Sequence, residues 1–270
     1  MEKDYSTLVG MIGERNRPSG GIKSVHEVIV QCSITSESNI LEIGSNTGFT
    51  SVQLSRLTGA SVKGIDVNVE SIAKASQYAR EHNVEASVEF IQASATSLPF
   101  QDASFDMVWA SNVTSFIEDK NKAIEEYVRV LKPNGYLVFI PIYYVKEPPK
   151  ELVESVGKAI GVNLTVFKKE DWVNMIFANS TNRQGSLDLV YEQDYMYHDK
   201  ISELAQYVGH QMNKLKGTVD EALFNEVKEK YAEQMSLFNR NLQYAGYSVL
   251  VLQKNSIVED QELFTTYKTK

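Results

Sequence analysis

A short segment rich in small residues, Glu42 to Gly48 (EIGSNTG), is the first candidate for chemistry in this sequence. It joins an apolar run at 39–44, typical of a buried strand, to a helical pattern that begins at Phe49. Glycines at such a junction let the backbone approach a ligand, and the N-terminus of the next helix attracts an anion. Because ligands of open α/β sheets bind at the carboxyl ends of the strands, the segment predicts a cofactor site.

Two classes of cofactor bind loops of this kind, and the glycine spacing separates them. A dinucleotide site needs G-x-G-x-x-G, but counting from Gly44 places Asn46 and Phe49 at the second and third glycines. The S-adenosylmethionine (SAM) motif, acid-x-G-x-G-x-G, is matched at Glu42, Gly44 and Gly48. Only Asn46 departs from it, and asparagine tolerates a left-handed backbone better than most residues. The spacing therefore favours SAM over a nicotinamide cofactor.

A second acid, Asp66, ends the next predicted strand, 62–66. A carboxylate at this place can accept hydrogen bonds from both hydroxyls of a ribose. The alternative is that Asp66 caps the helix that follows. NAD and SAM both contain this ribose, so Asp66 supports a nucleotide site without separating the two cofactors.

Strands and helices alternate around these residues. Further strands are predicted at 88–91, 105–110 and 136–140. Ile124, Tyr127, Val128 and Leu131 lie on one face of a helix that Asp119 caps and Pro133 ends. This alternation predicts an α/β fold with parallel βαβ units and a doubly wound sheet.

Two later segments complete a wider pattern: LPF at 98–100 followed by SFDMV at 104–108, and VLKPNGYL at 130–137. Together with the glycine loop, and in this order, they give residues 38–140 a pattern that resembles the class I SAM-dependent methyltransferases. The resemblance is strongest to the small-molecule branch (methyltransferase type 11), similar to enzymes of the ubiquinone and menaquinone pathways. It implies a Rossmann-like, doubly wound sheet of seven strands with helical lid insertions, whose last strand, 247–252, is antiparallel. It also implies SAM as cofactor and S-adenosylhomocysteine as product.

The resemblance further assigns cofactor contacts. The methionine end of SAM would lie against Glu42, Gly44, Ser45, Asn46 and Gly48. The ribose and the adenine would lie against Asp66, Val67, Asn68, Ser94 and Ala95. Ser111 and Asn112, after the fourth strand, would face the methyl group and the acceptor. Tyr5 and the 17–21 loop would close over the cofactor, as N-terminal segments do in similar enzymes.

The chain departs from this family at two more places. Relatives often carry an acid at position 94 and a histidine soon after Asn112, whereas this chain has Ser94 and no histidine there. A general base is needed only for some methyl acceptors. The sequence does not identify a catalytic residue; the candidates are His26, His198 and Tyr5, and for the histidines a packing or surface role is the better explanation.

Composition narrows the class of acceptor. The formal net charge is −8 and no Lys/Arg cluster exceeds a pair, which disfavours nucleic acid. The chain has one cysteine, no metal-ligand cluster, no apolar run long enough for a membrane helix and no secretory signal, so we expect a cytoplasmic protein without metal or membrane.

The leading hypothesis is methylation of a small molecule at oxygen, nitrogen or carbon. The alternatives are a catalytically inactive SAM-fold binding or regulatory protein and a methyltransferase for a macromolecule.

The expected division of the chain has five parts. A helical lid segment, 1–38, precedes the SAM-binding core, 39–145. A helical substrate lid that includes the sixth strand (187–191) covers 146–241, the last core strand lies within 242–254, and a flexible tail covers 255–270. Five tyrosines of the lid side could stack on a planar or cationic acceptor or simply pack: Tyr143, Tyr144, Tyr191, Tyr195 and Tyr197. The helices of the lid would also suit a homodimer interface.

Overall fold

A mixed β-sheet forms the centre of the molecule. The computed structural model describes residues 5–15, 17–180 and 186–255. Five parallel strands lie in the order β3-β2-β1-β4-β5. They are β1 (Asn39–Ile43), β2 (Ser61–Asp66), β3 (Val88–Gln92), β4 (Phe105–Ser111) and β5 (Leu131–Ile140).

Three further strands complete the sheet: β6 (Ile142–Tyr144), β7 (Ser186–Met196) and β8 (Ala245–Asn255). The last strand, β8, is antiparallel to β5, β6 and β7. The predicted doubly wound α/β fold with an antiparallel last strand is confirmed. The described sheet has eight strands rather than seven, because the three-residue β6 is too short to show a hydrophobic period. β7 is also longer than predicted, because β8 pairs with it along its whole length.

Helices cover both faces of the sheet. They are α1 (Tyr5–Ile12), α2 (Ile22–Gln31), α3 (Phe49–Thr58), α4 (Val69–Glu81), α5 (Lys120–Val130), α6 (Lys150–Ile160), α7 (Lys169–Ser180), α8 (Ile201–Met212) and α9 (Glu221–Leu242), with a 3₁₀ turn at Val113–Phe116. Neighbouring strand residues enter opposite cores: Leu41 and Val108 pack on the side of α5 and α7, whereas Ile40 and Met107 pack on the side of α2 and α3. Burial on both faces explains why the strands are continuous apolar runs.

A third core joins the N-terminal segment to the lid helices. Leu8 and Ile12 of α1 pack with Val208 of α8 and with Val227 and Tyr231 of α9. Residues from opposite ends of the chain therefore share one buried cluster above the carboxyl ends of the central strands.

The predicted start of α5 is confirmed, because the Asp119 side chain accepts a hydrogen bond from the Lys122 amide at 2.9 Å. The helix ends at Val130, three residues before Pro133. The described chain contains no helix that combines the length and the apolar character needed to span a bilayer. The tail predicted at 255–270 lies outside the described residues apart from Asn255, the last residue of β8.

Candidate cofactor site

The loop after β1 has the backbone that its sequence predicts. Gly44 (φ +70°), Asn46 (φ +45°) and Gly48 (φ +85°) all lie in the left-handed region. A Cβ atom on Gly44 would lie 2.4 Å from Cγ2 of Val113. Position 44 therefore accepts only glycine, whereas Asn46 takes the left-handed conformation that asparagine tolerates.

Asp66 holds this loop from the end of the neighbouring strand β2. Its Oδ2 accepts from the Asn46 amide and its Oδ1 from the Asn68 amide, each at 2.9 Å. The helix-capping alternative is wrong, because the Asn68 side chain is the cap of α4 and accepts from the amides of Glu70 and Ser71. A carboxylate has about four lone-pair sites, so Asp66 keeps capacity for ligand hydroxyls.

Glu42 differs from Asp66 in being buried, with 5% of its surface exposed. Its Oε2 accepts from the amide and the hydroxyl of Ser51, in the first turn of α3. Burial raises the pKa of Glu42 to about 7, although these hydrogen bonds act in the opposite direction. Glu42 thus ties α3 to β1 at the floor of the site.

Two adjoining cavities of about 800 and 330 Å³ lie over the carboxyl ends of β1, β2 and β4. Their shared wall includes Gly44, Asp66, Val67, Val113 and Phe116. The structure brings every predicted cofactor residue except Gly48 to one of these cavities. The larger cavity adds Ser94 and Ala95, and the smaller adds Glu42, Ser45, Asn46, Asn68, Ser111 and Asn112. Gly48 faces Phe90 and Ala75 instead, and its role is to let α3 and α4 pack closely.

Three residues that line the smaller cavity carry buried polar atoms that the described chain leaves without a partner. Ser45 Oγ, Asn46 Oδ1 and Ser111 Oγ are buried and form no hydrogen bond there. Leaving one such atom unpaired costs about 1–3 kcal/mol. A ligand with its own donors and acceptors would remove this cost, so these residues fit the polar amino-acid end of SAM.

The larger cavity has an apolar rim. Val67 is 68% exposed and Phe116 is 49% exposed, and both line the two cavities. Exposed apolar side chains of this size suit a flat aromatic base. The Ser94 hydroxyl at the edge of this cavity lies 2.9 Å from Thr96 Oγ1, so part of its hydrogen-bonding capacity is already used.

The catalytic candidates separate clearly. Tyr5 lines the smaller cavity, but burial raises the pKa of its phenol, so it stays protonated at neutral pH. His26 is exposed on α2 and His198 is exposed between β7 and α8. The structure brings neither histidine to the cavities, because each sits on a solvent-facing position of its segment.

The hydroxyls of the five lid tyrosines form hydrogen bonds within the protein. The hydroxyls of Tyr191 and Tyr195 each donate to Glu27 at 2.8 Å, and Tyr197 pairs with Ser19 at 2.6 Å. Tyr143 and Tyr144 pair with Ser248 and Asn241. None of the five lines either cavity, so the packing interpretation holds over stacking on an acceptor.

Sequence reasoning missed cavity residues that other segments supply. They are Val9 of α1, Ile160 at the end of α6 and Phe116 of the 3₁₀ turn, whereas Arg17 and Pro18 belong to the 17–21 loop that the resemblance places over the cofactor. Pattern recognition had no signal for the first three, because no local spacing connects them to the glycine loop.

Comparison with known proteins agrees with this geometry. A family model described as a methyltransferase domain matches residues 41–139. An uncharacterized protein of Haemophilus influenzae is 30% identical over 206 residues, which cover 74% of this chain and 82% of that protein. The ubiquinone/menaquinone biosynthesis C-methyltransferase UbiE of Escherichia coli is 34% identical over 122 residues, 44% of this chain and 46% of UbiE, so the match spans about half of that relative.

Among solved structures, the MccD protein has a TM-score of 0.73 at 22% identity, covering 89% of this chain and all of that one, which shows a shared fold. The fold and the site thus define a Rossmann-like methyltransferase domain. The chain belongs to the class I SAM-dependent methyltransferases of the small-molecule type.

Proposed function

We propose that this protein transfers the methyl group of SAM to a small-molecule acceptor. The observation that carries the proposal is the set of unpartnered buried atoms Ser45 Oγ, Asn46 Oδ1 and Ser111 Oγ beside Asp66. Their residues line one cavity, next to a carboxylate suited to ribose hydroxyls. The family to which the chain belongs supports SAM as the ligand that satisfies them.

Each part of the cofactor has residues suited to it. Asp66 would accept the ribose hydroxyls while the amides of Asn46 and Asn68 hold it in place. Val67 and Phe116 would flank the adenine, with Ser94 and Ala95 along its edge. Ser45, Asn46 and Ser111 would bind the methionine end.

When bound, SAM supplies a methyl group on a positively charged sulfur, and the chain supplies position and exclusion of water. Asn112 is held for this task, because its Nδ2 donates to Ser19 Oγ at 3.0 Å and that hydroxyl also pairs with Tyr197. None of the four histidines lines either cavity. Catalysis therefore rests on alignment of the acceptor rather than on a histidine base.

The size and cover of the smaller cavity favour a compact acceptor. Tyr5 and Val9 of α1 and Ile160 of α6 border it. The third core fastens α1 to α8 and α9, so a macromolecule would have to displace packed helices to reach the methyl group. The net charge of −8 gives nucleic acid no general attraction.

The test is calorimetric titration with S-adenosylhomocysteine of the intact protein, Asp66→Asn and Asp106→Asn. Asp106 is a matched control, because it also accepts a backbone amide, that of Asn39 at 2.8 Å, but lies at the amino end of β4, far from the carboxyl ends that form the site. Charge-assisted hydrogen bonds contribute about 1.5–3 kcal/mol, so Asp66→Asn should weaken binding by roughly tenfold to a hundredfold. Asp106→Asn should leave the affinity unchanged.

Absence of binding by the folded intact protein would overturn the proposal. Where binding is found, the protein is next incubated with SAM and pooled small-molecule acceptors. S-adenosylhomocysteine and methylated products are then measured by mass spectrometry. Acceptor-dependent formation of both products supports transfer. Cofactor binding without turnover on any pool would favour the inactive binding protein instead.

A further inference from the structure

One positive charge faces the proposed cofactor site. Among the described residues that line the two cavities, Arg17 is the only cation, whereas Glu42, Asp66, Glu118 and Asp119 are acids. Asp66, Glu118 and Asp119 line the larger cavity, on the ribose and adenine side, whereas Glu42 lines the smaller cavity and is bonded to Ser51. Arg17 lies on the wall of the smaller cavity with Ser45, Ser111 and Asn112.

Among residues 5–15, 17–180 and 186–255, no acidic side chain accepts a hydrogen bond from Arg17. Its guanidinium carbon lies 5.2 Å from the ring centroid of Phe49. Glu14, an acid on the same segment, instead accepts from the hydroxyls of Tyr207 and Tyr231, the latter at 2.7 Å. Arg17 therefore has its donors free to meet a ligand.

Arg15, two residues earlier, differs from Arg17 because its guanidinium is paired with other side chains of the protein. It donates to Glu81 at 3.0 Å, and its guanidinium carbon lies 3.5 Å from the ring centroid of Tyr78. It does not line either cavity. The two arginines thus differ in the feature that matters: one is paired within the protein and the other faces the site.

Two further features make the Arg17 wall suited to an anion. Thr50, in the first turn of α3, lines the same cavity as Arg17, and one amide of that turn, that of Ser51, already donates to buried Glu42. The positive end of a helix attracts negative charge. In addition, Ser45 lines the same cavity, and its buried hydroxyl has no partner in the described chain.

We propose that Arg17 is an anion-binding residue of the site and pairs with a carboxylate. The planar guanidinium fork matches a carboxylate with two parallel hydrogen bonds, which a lysine cannot provide. The inference rests on the proposed function. The carboxylate has two sources, the methionine part of the cofactor or an acidic acceptor, and the experiment distinguishes them.

The experiment compares the intact protein with Arg17→Gln, Arg17→Lys and the matched control Arg15→Gln. Each is titrated calorimetrically with S-adenosylhomocysteine and with 5′-methylthioadenosine, a thioether of the same nucleoside that lacks the amino-acid group. Each is then saturated with S-adenosylhomocysteine and titrated with benzoate and with the neutral benzamide. Circular dichroism establishes that the variants are folded.

If Arg17 holds the cofactor carboxylate, Arg17→Gln weakens S-adenosylhomocysteine by about tenfold or more and leaves 5′-methylthioadenosine unchanged. Arg17→Lys shows a smaller loss and Arg15→Gln none. If Arg17 holds an acceptor carboxylate, the nucleoside affinities stay constant. Benzoate then binds the saturated intact protein but not Arg17→Gln, and benzamide binds neither.

The inference is overturned if folded Arg17→Gln matches the intact protein with every ligand. Failure of the intact protein to bind either nucleoside would overturn the proposed function, and this inference with it. The two failures are distinguishable, because the first requires an intact protein that binds and the second an intact protein that does not.

Discussion

Gly44→Ala should be the most damaging small substitution in the glycine loop, and its cost can be worked out from two separate terms. The backbone at Gly44 has φ +70°, which costs a residue with a Cβ about 1–2 kcal/mol. The new methyl group would also lie 2.4 Å from Cγ2 of Val113, and overpacking of this kind costs about 1–3 kcal/mol. The free energy of unfolding should therefore fall by roughly 2–5 kcal/mol.

Gly161→Ala separates these two terms. Gly161 has a similar φ of +76° at the end of α6, but a Cβ there would meet no atom within 4 Å. Only the backbone term applies, so we expect a loss of about 1–2 kcal/mol. The difference between the two variants, measured by urea unfolding with circular dichroism, is the steric cost of Val113.

Val113 also lines both cavities, so the same substitution should disturb binding. Gly44→Ala should weaken S-adenosylhomocysteine in calorimetry, whereas Gly161→Ala should not. In a double-mutant cycle, Val113→Ala should recover about 1 kcal/mol or more of the stability lost in Gly44→Ala. Equal destabilisation by Gly44→Ala and Gly161→Ala, with no coupling to Val113, would refute the reasoning.

Three further predictions concern buried polar groups. Burial raises the pKa of Glu42 above its ordinary value, so the folded state binds more protons than the unfolded state between pH about 4.5 and about 7. The free energy of unfolding of the intact protein should therefore fall relative to that of Glu42→Gln as pH rises through this window. The same pH dependence in both proteins would contradict the raised pKa of Glu42. Tyr231→Phe removes one of the two hydroxyls that bind buried Glu14 and should cost about 1–3 kcal/mol in urea unfolding, whereas Tyr136→Phe, which breaks no such bond, should cost less than about 0.5 kcal/mol. Ser45→Ala removes a buried hydroxyl without a partner, so its unfolding free energy should stay level or rise while its affinity for S-adenosylhomocysteine falls; a loss of stability with unchanged affinity would assign that hydroxyl to the fold.

The sequence predicts the core strands well, because burial on both faces makes each of them a local apolar run. It predicts β7 only at 187–191, because the polar residues from Glu192 to Asp194 hide the remainder of the strand. The short β6 depends on its partner β8 rather than on its own three residues. Both misses come from pairing that no local pattern records.

The site divides in the same way. The glycine loop and Asp66 are predictable, because their spacing along the chain fixes their positions at adjacent strand ends. The histidine candidates rested on residue type alone, and residue type does not place His26 or His198 over the sheet. Only the resemblance places the loop of Arg17 over the cofactor, and nothing in the sequence predicts Phe116 there, since tertiary packing brings both residues to the cavity.

The contacts of the N-terminal segment explain why the missed residues matter. Glu14 holds two tyrosines of the lid helices, and Glu27 holds two tyrosines of β7. Between them, Ser19 bonds both Tyr197 and Asn112, the residue that follows the central strand β4. Arg17 lies within this fastened stretch, so its position over the cavity depends on the lid as well as on its own segment. Tyr191, Tyr195 and Tyr197 therefore act by holding the segment that carries Arg17 over the cavity.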